Sequence, residues 1–535
     1  MKRRAFLGTS AAALATLAAC DPPRRQITGG FTGINAERGH ALRDHTAWPA
    51  PTTTHQTQVL IAGGGIAGLA AARALRLQGV DDFALLELED STGGNSRGGT
   101  VAGIACPLGA HYLPVPTDDA PEVQNLLEEL GLRRRVAGRW TYDERHLCHS
   151  PQERLFFNAG AGWQWQEGLL PVQGVGTDTL AQYQRFAQRV KAAQKAAKFT
   201  IPASDRPLAG VHRALNAITF EAWLNQNGLD DNHLRWYLGY CCRDDYGAGI
   251  ATVSAWAGIH YFASRHGFHA PGEADAEAGD GLLTWPEGNG WLAQQLAAPL
   301  GERAKTGRTV LRIAAEKHGV VVDAFNHTSQ ATERWQARQC IVALPLFIAS
   351  RVLENPPPAL RQAAAAVRYA PWLVANLHID AALNDRPGAA PSWDNVIYGS
   401  RSLGYVDAMH QSLQSVPGAT VLTCYRALGD VPDGRRMLLE RSWSAWRDEI
   451  VAELAAAHPD LPRKATRMDI TRYGHAMAVP TPGLRGHPAL NALQQTPAAP
   501  WQNLRFAHSD LAGYSVFEEA FTLGHRAGES LAKKR

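Results

Sequence analysis

The chain has 535 residues, 45% of them hydrophobic and 19% charged, with a formal net charge of +3 at pH 7. Length and composition are those of a globular protein large enough for two domains, which excludes a disordered or fibrous chain. So small a charge on so long a chain leaves no nucleic-acid footprint.

The first residues, "MKRRAFLGTSAAALATLAAC" (1–20), combine a basic start, an Ala-rich apolar stretch and a small-residue exit, which reads as an export signal. The stretch is too short and too weakly apolar for a membrane span. Arg3 and Arg4, followed by Phe6 and Leu7, resemble the twin-arginine address, a route for proteins folded around their cofactors. "LAAC" at 17–20 resembles a bacterial lipobox, so a lipid on Cys20 is expected, with Asp21 pointing to the periplasmic face of the inner membrane. The alternative is a cleaved signal in which Cys20 is incidental. Residues 21–55, with several Pro, Thr and Gly, read as a linker.

Gln58 to Ala62 is an apolar run of strand length, and Leu69 to Gln78 is an Ala- and Leu-rich helix pattern closed by Gly79. Between them Gly63, Gly65 and Gly68 fit G-x-G-x-x-G, with Ile66 and Ala67 at the start of the helix. The first glycine serves a tight turn, the second a close backbone approach to a pyrophosphate, and the third close helix–strand packing. The helix N-terminus then faces the phosphates. Phe83 to Leu88 reads as the next strand, with Glu87 and Glu89 placed to hold a ribose diol and to repel a 2′-phosphate, which disfavours NADP.

"LLELEDSTGG", ending in Gly93 and Gly94, resembles the flavin-containing amine oxidase superfamily, which includes monoamine and polyamine oxidases, protoporphyrinogen oxidase and phytoene desaturases. "PLGAHYL", with Gly109, is similar to that family's segment beside the flavin ring. "TWPEGNGWLAQQLAAPLG", "TVLRIAAEKHGVVVDAF" and "ARQCIVALP" resemble the second flavin-binding segment, with Val310 in the adenine-contacting place. "LRFAHSDLAGYSVFEEAFTLGHRAGESL" resembles the closing strand and helix. There the resemblance gives Asp510 the ribityl hydroxyls and aims the first amides of the helix, near Val516, at the flavin O2 edge. Ser515 and Glu518 fit a capping box. The cofactor so implied is FAD. The implied fold is α/β: a discontinuous Rossmann-type FAD-binding domain (56–125, 280–350, 500–535) with an α+β substrate domain of mixed sheet and helices (126–279, 351–499).

Within the substrate segments, "TLAQYQRFAQRVKAAQKAAKF" and "ITFEAWLNQNGLDDNHLRWYLGYCC" are helical in pattern, "WLVANLHID" and "TVLTCYRAL" strand-like, and "WSAWRDEIVAELAAAHP" helical. Asp244 and Asp245 read as helix caps or as ligands of a cationic substrate; Tyr246 and Trp256 read as core. The cysteines beyond Cys20 show no C-x-x-C pair and no His at zinc spacing, so buried reduced thiols are expected and no metal site.

The family pattern breaks in places. Many amine oxidases carry a lysine on a substrate-domain strand that holds a water at flavin N5; none occurs between Lys317 and Lys464. Tyr514 matches one ring of the family's aromatic cage, while Ala476 falls at the other, with Tyr473 nearby as a substitute. His475 falls near the covalent cysteine of the monoamine oxidases and reads as a pocket histidine, leaving FAD non-covalent. The function so implied is a dehydrogenase taking hydride from a C–N bond of an amine or amino-acid-like small molecule. A quinone or redox protein would be its acceptor. A C–C desaturase of an apolar substrate and a membrane-tethered flavoprotein with structural FAD are the alternatives.

Overall fold

The computed structural model describes residues 25–44, 47–160, 162–204, 206, 208–265, 267–272, 281–412 and 416–532. The expected export signal, lipobox and Cys20 lie outside the described residues.

Val59 to Ala62 are buried, Leu60 and Ile61 completely, and so unbroken an apolar run is stable only in a strand covered on both faces. The strand Pro51–Ala62 accordingly runs inside a seven-stranded sheet, parallel to Phe83–Leu86 on one side and to Ala331–Val342 on the other. Ala304–Lys305 pairs in parallel with the outer side of Phe83–Leu86, Leu504–Phe506 pairs in parallel with the far end of Ala331–Val342, and the strands Gly319–Asn326 and Arg308–Glu316 complete the sheet in antiparallel order. The helix Ile66–Leu77 leaves the first strand with ten residues, Ile66 to Leu75, buried. It packs on the C-terminal helix Phe517–Ala532, where a Cβ at Gly524 would sit 2.0 Å from the Ala67 carbonyl oxygen. The two ends of the chain therefore meet backbone to backbone on this Rossmann-type layer.

The second sheet has eight strands and is mixed. Its centre is Tyr369–Ile379, antiparallel to Thr420–Ala427 on one side and to Ala465–Ala478 on the other. Side chains alternate across a strand. Leu373, Ala375, Leu377 and Ile379 face a core shared with Trp446, Ile450 and Leu454 of the helix Trp443–Ala457. Trp372 and Val374 face the other way, into a core shared with the helices Thr177–Ala196, Asn232–Tyr246 and Ala255–Ala263. The whole is an α/β architecture in which the Rossmann-type sheet lies against a mixed-sheet and helix unit.

Two expectations need correction. Residues 25–55 are not a plain linker: Thr28–Phe31 pairs in parallel with Arg467 to Ile470 at the edge of the second sheet, Ala36–Asp44 is helical, and the first strand begins at Pro51. The glycine read as flexibility serves close pairing, since Gly29 has φ +135° and a Cβ there would lie 1.9 Å from the Met468 carbonyl oxygen. Asp244 and Asp245 are not N-caps either. They lie in the last turn of Asn232–Tyr246, whose N-cap is Asp231, donated to by the Leu234 amide at 2.9 Å, and whose end is set by Gly247 at φ +74°.

Candidate active site

The glycine turn is shaped by close approach. A Cβ at Gly63 would lie 2.3 Å from the Ala343 carbonyl oxygen, and one at Gly68 1.9 Å from that of Gly63, so no other residue fits either place. Glu87, 8% exposed, closes the second strand and takes the Gly64 amide on one oxygen (2.7 Å) and the Glu89 amide on the other (2.9 Å). Burial pushes its carboxyl up, while the two amides and Arg97 pull it back. Glu89 is engaged elsewhere: it accepts from the Asn35 amide (3.1 Å) and side chain (2.7 Å) and lies 3.5 Å from Arg97.

A continuous cavity of about 490 Å³ runs from this turn to the second sheet. Gly63, Gly65, Ile66, Ala67, Glu87, Gly93, Gly94, Gly109, Val310, His475, Asp510 and Val516 all line it. Gly68 is not on its wall and serves helix packing instead. Ile34, Gly39 and Leu42 also line it, so the N-terminal segment covers the end marked by Glu87 and Val310. No motif announced that cover.

Gly109 lies where the two units join. A Cβ there would be 2.1 Å from the Asn95 carbonyl oxygen; the Tyr425 hydroxyl donates to the Gly109 carbonyl (3.0 Å), and the Tyr473 hydroxyl to that of Leu108 (2.7 Å). Two tyrosines of the second sheet thus hold the segment that forms the cavity floor.

At the C-terminal side Asp510 lies on the cavity wall with its carboxylate held by neighbouring protein groups. Its Oδ2 accepts from the Tyr369 hydroxyl (2.5 Å) and the Leu346 amide (3.0 Å), and Oδ1 lies 3.2 Å from His508 Nδ1. Burial works to raise this carboxyl, but His508, Tyr369 and the Leu346 amide together hold it low. Asp510 is thus tied to Tyr369, Leu346 and His508 on the cavity wall, which fixes its carboxylate there. The capping box is replaced as well: the Ser515 hydroxyl accepts from the Ala478 amide (3.0 Å), tying the closing helix to the strand that carries His475. Val516 precedes that helix, whose first amides open on the cavity.

Tyr514 is fully buried and absent from the wall. It packs edge-on against His260 (5.4 Å) and Trp256 (5.8 Å), because its side chain turns into the helical core. His475 stacks on Phe347 at 4.3 Å, and burial with Arg435 nearby pushes it down to about 4, so it is neutral at pH 7. The aromatic wall comes from residues that no motif marked as a cage: Tyr112, Trp372 and Tyr425, with Tyr425 stacked on His111 at 4.4 Å. Burial pushes His111 down to about 3. Beside them stand Asp244, Asp245 and Arg265, and Arg265 donates to both Asp245 oxygens at 3.0 and 3.3 Å. Trp372 and Val374 are what the strand Tyr369–Ile379 presents here, and no lysine lines the cavity among the described residues. The six described cysteines are free and buried, and no group of metal-ligating side chains occurs among the described residues.

These residues fit FAD. Gly63 and Gly68 let the turn close on its own backbone, and Gly65, where a Cβ would meet only Gly94 Cα at 3.9 Å, leaves bare backbone on the cavity wall where a pyrophosphate would lie, with Glu87 on the same wall. The cavity continues past Gly109 to an aromatic wall.

Comparison with known proteins agrees. The family profile described as flavin containing amine oxidoreductase matches residues 66–531. An L-amino acid dehydrogenase of Synechocystis sp. is 30% identical over 152 residues, 28% of this chain and 30% of the relative. The chain thus spans under a third of that relative's length. Among solved structures, putrescine oxidase bound to putrescine superposes with a TM-score of 0.62 at 19% identity, over 90% of this chain and 100% of the other. Cyclohexylamine oxidase from Brevibacterium oxydans IH-35A gives 0.64 at 16%, over 89% and 99%. With the profile running from the fingerprint helix to the closing helix, the chain belongs to the family of flavin-containing amine oxidoreductases, and the cofactor of the cavity is FAD.

Proposed function

We propose that the protein is an FAD-dependent dehydrogenase that takes hydride from a C–N bond of an amine-type small molecule. The observation that carries this reading is the single cavity joining the dinucleotide turn at Gly63 to the wall of Tyr112, Trp372 and Tyr425. Acceptance of a hydride is the chemistry that FAD supplies there when bound. The chain's own part is positioning. Tyr425 and Tyr473 fix the Leu108–Gly109 backbone, and the aromatic wall restricts the orientation of the bound C–N bond. His111 and His475, both held neutral, place no positive charge against an amine. The charged groups on the wall argue against an apolar isoprenoid substrate.

The acceptor proposed is a quinone or a partner redox protein, supported by the absence of lysine from the described cavity wall. The location proposed is the periplasmic face of a bacterial inner membrane, reached by the twin-arginine route and held through lipidated Cys20. The residues at 1–20 support it, and among the described residues no helix is long and apolar enough to cross a membrane. The test of the central claim is anaerobic mixing of the yellow holoprotein with primary amines and amino acids. Bleaching of the flavin absorbance supports it, and a flavin that no such compound reduces removes it.

A further inference from the structure

Three carboxyls stand on the substrate side of the cavity with one guanidinium: Asp244, Asp245, Glu518 and Arg265. Arg265 is fully committed. It binds both oxygens of Asp245, donates to the Tyr261 carbonyl at 2.9 Å and lies over the Tyr261 ring at 4.7 Å. Asp245 is therefore neutralised, and Asp244 and Glu518 are not. Glu518 is 5% exposed, yet its carboxyl has no hydrogen bond or ion pair to another residue among the described ones. Asp244 lies beside the Tyr112 hydroxyl, with Asp245 and its partner Arg265 as its charged neighbours. Its place in the last turn of Asn232–Tyr246 sets a negative charge against the negative end of the helix dipole, so local helix energetics do not explain it. Burial pushes Asp244 and Glu518 each up to about 7, and Arg265, bound to Asp245, pulls them back only in part.

What this wall lacks is a second positive charge, since three carboxyls face the one guanidinium of Arg265. The reacting amine cannot supply it, because the nitrogen must be neutral to release hydride. An α-carboxylate would meet two acids and no free arginine. We propose that Asp244 and Glu518, with the Tyr112 hydroxyl, form a subsite for a second cationic group, so that the substrate is an amine with a distal ammonium and without an α-carboxylate. Tyr112, Trp372 and Tyr425 add ring faces that attract a cation. Beyond Asp244 the acidic character continues at Asp394, whose Oδ2 accepts from the Tyr240 hydroxyl at 3.4 Å. This inference rests on the amine-dehydrogenase reading.

The test uses the holoprotein under anaerobic conditions, with putrescine and cadaverine set against n-butylamine, n-pentylamine and norleucine. A charge-assisted contact predicts flavin reduction by the diamines with kcat/KM ~10- to 100-fold above the matched monoamines. Asp244→Asn and Glu518→Gln should each shrink that ratio, mainly through KM, and unchanged flavin absorbance verifies that the variants are folded. Monoamines as good as diamines, norleucine the best of the set, or a ratio that both variants keep would overturn the subsite while leaving the function reading in place. Flavin that no amine reduces would remove both.

Discussion

The hydroxyl of Tyr425, on a central strand of the second sheet, donates to the carbonyl of Gly109 at 3.0 Å, so the wall of the substrate pocket is bonded directly to the segment that floors the flavin site. Tyr425 is 5% exposed, and the bond has little water to replace it. Tyr425→Phe keeps the ring and its stack on His111 but leaves the Gly109 oxygen without that donor, which costs about 1–3 kcal/mol. The expected outcome is a lower unfolding midpoint, together with a slower flavin reduction than stability alone explains. Calorimetry and single-turnover reduction measure the two.

Glu87 and Glu89 should separate cleanly. Glu87→Ala removes the acceptor of two amides and the carboxylate proposed to hold the ribose, and FAD affinity should fall ~100-fold or more in titrations of the apoprotein. Glu89→Gln weakens the hold on Asn35 and Arg97 instead, so it should loosen the N-terminal cover and leave the affinity within about tenfold. The reverse order would show that the ribose acid is Glu89.

This contrast also shows what the sequence makes legible. The dinucleotide turn is local: strand, glycines, helix and acid follow one another along the chain, and Gly63 and Gly68 are dictated by backbone contacts with Ala343 and with Gly63 itself. The N-terminal cover is not local, because Gly29 pairs with Met468 at the other end of the chain. Tyr112, Trp372 and Tyr425 reach the pocket wall from three separate strands, and nothing in their sequence spacing says so. Asp244 was open to a better reading, since the glycine that follows "RDDY" is the left-handed residue ending a helix, and that places both acids in a last turn. Tyr514 follows the cavity residue Asp510 closely in the chain, yet its side chain turns into the helical core, a direction that sequence position does not give.

Glu153, Asp244 and Glu518 are each pushed up to about 7, chiefly by burial, from ordinary values near 4. An acid whose folded pKa is raised favours the folded state at low pH, and that contribution is lost as pH rises through the folded value. The apoprotein should therefore lose stability between about pH 4 and 7 from these groups. Asp244→Asn should raise the unfolding midpoint relative to wild type at pH 8, and the difference should vanish near pH 4. A variant less stable than wild type at pH 8 would mean that Asp245, Arg265 and Tyr112 need the charge for packing.

Fast reaction of reduced flavin with oxygen requires that oxygen and a proton or cation source meet near N5. The strand Tyr369–Ile379, to which the family resemblance would assign a lysine, presents Trp372 and Val374 to the cavity, and no lysine lines it among the described residues. Neutral His111 cannot take over the role of a positive charge, since burial holds it at about 3. Asp244 and Glu518 bring negative charge, which disfavours the anionic products of one-electron transfer to oxygen. Flavin reduced anaerobically and mixed with air-saturated buffer should therefore reoxidise at least about tenfold more slowly than with a soluble quinone analogue, a difference of about 1.4 kcal/mol in barrier. Stopped-flow absorbance follows both reactions, and a peroxide assay counts the oxygen product. Stoichiometric peroxide at a rate above that with quinone would make the protein an oxidase and place its acceptor in solution rather than at a membrane.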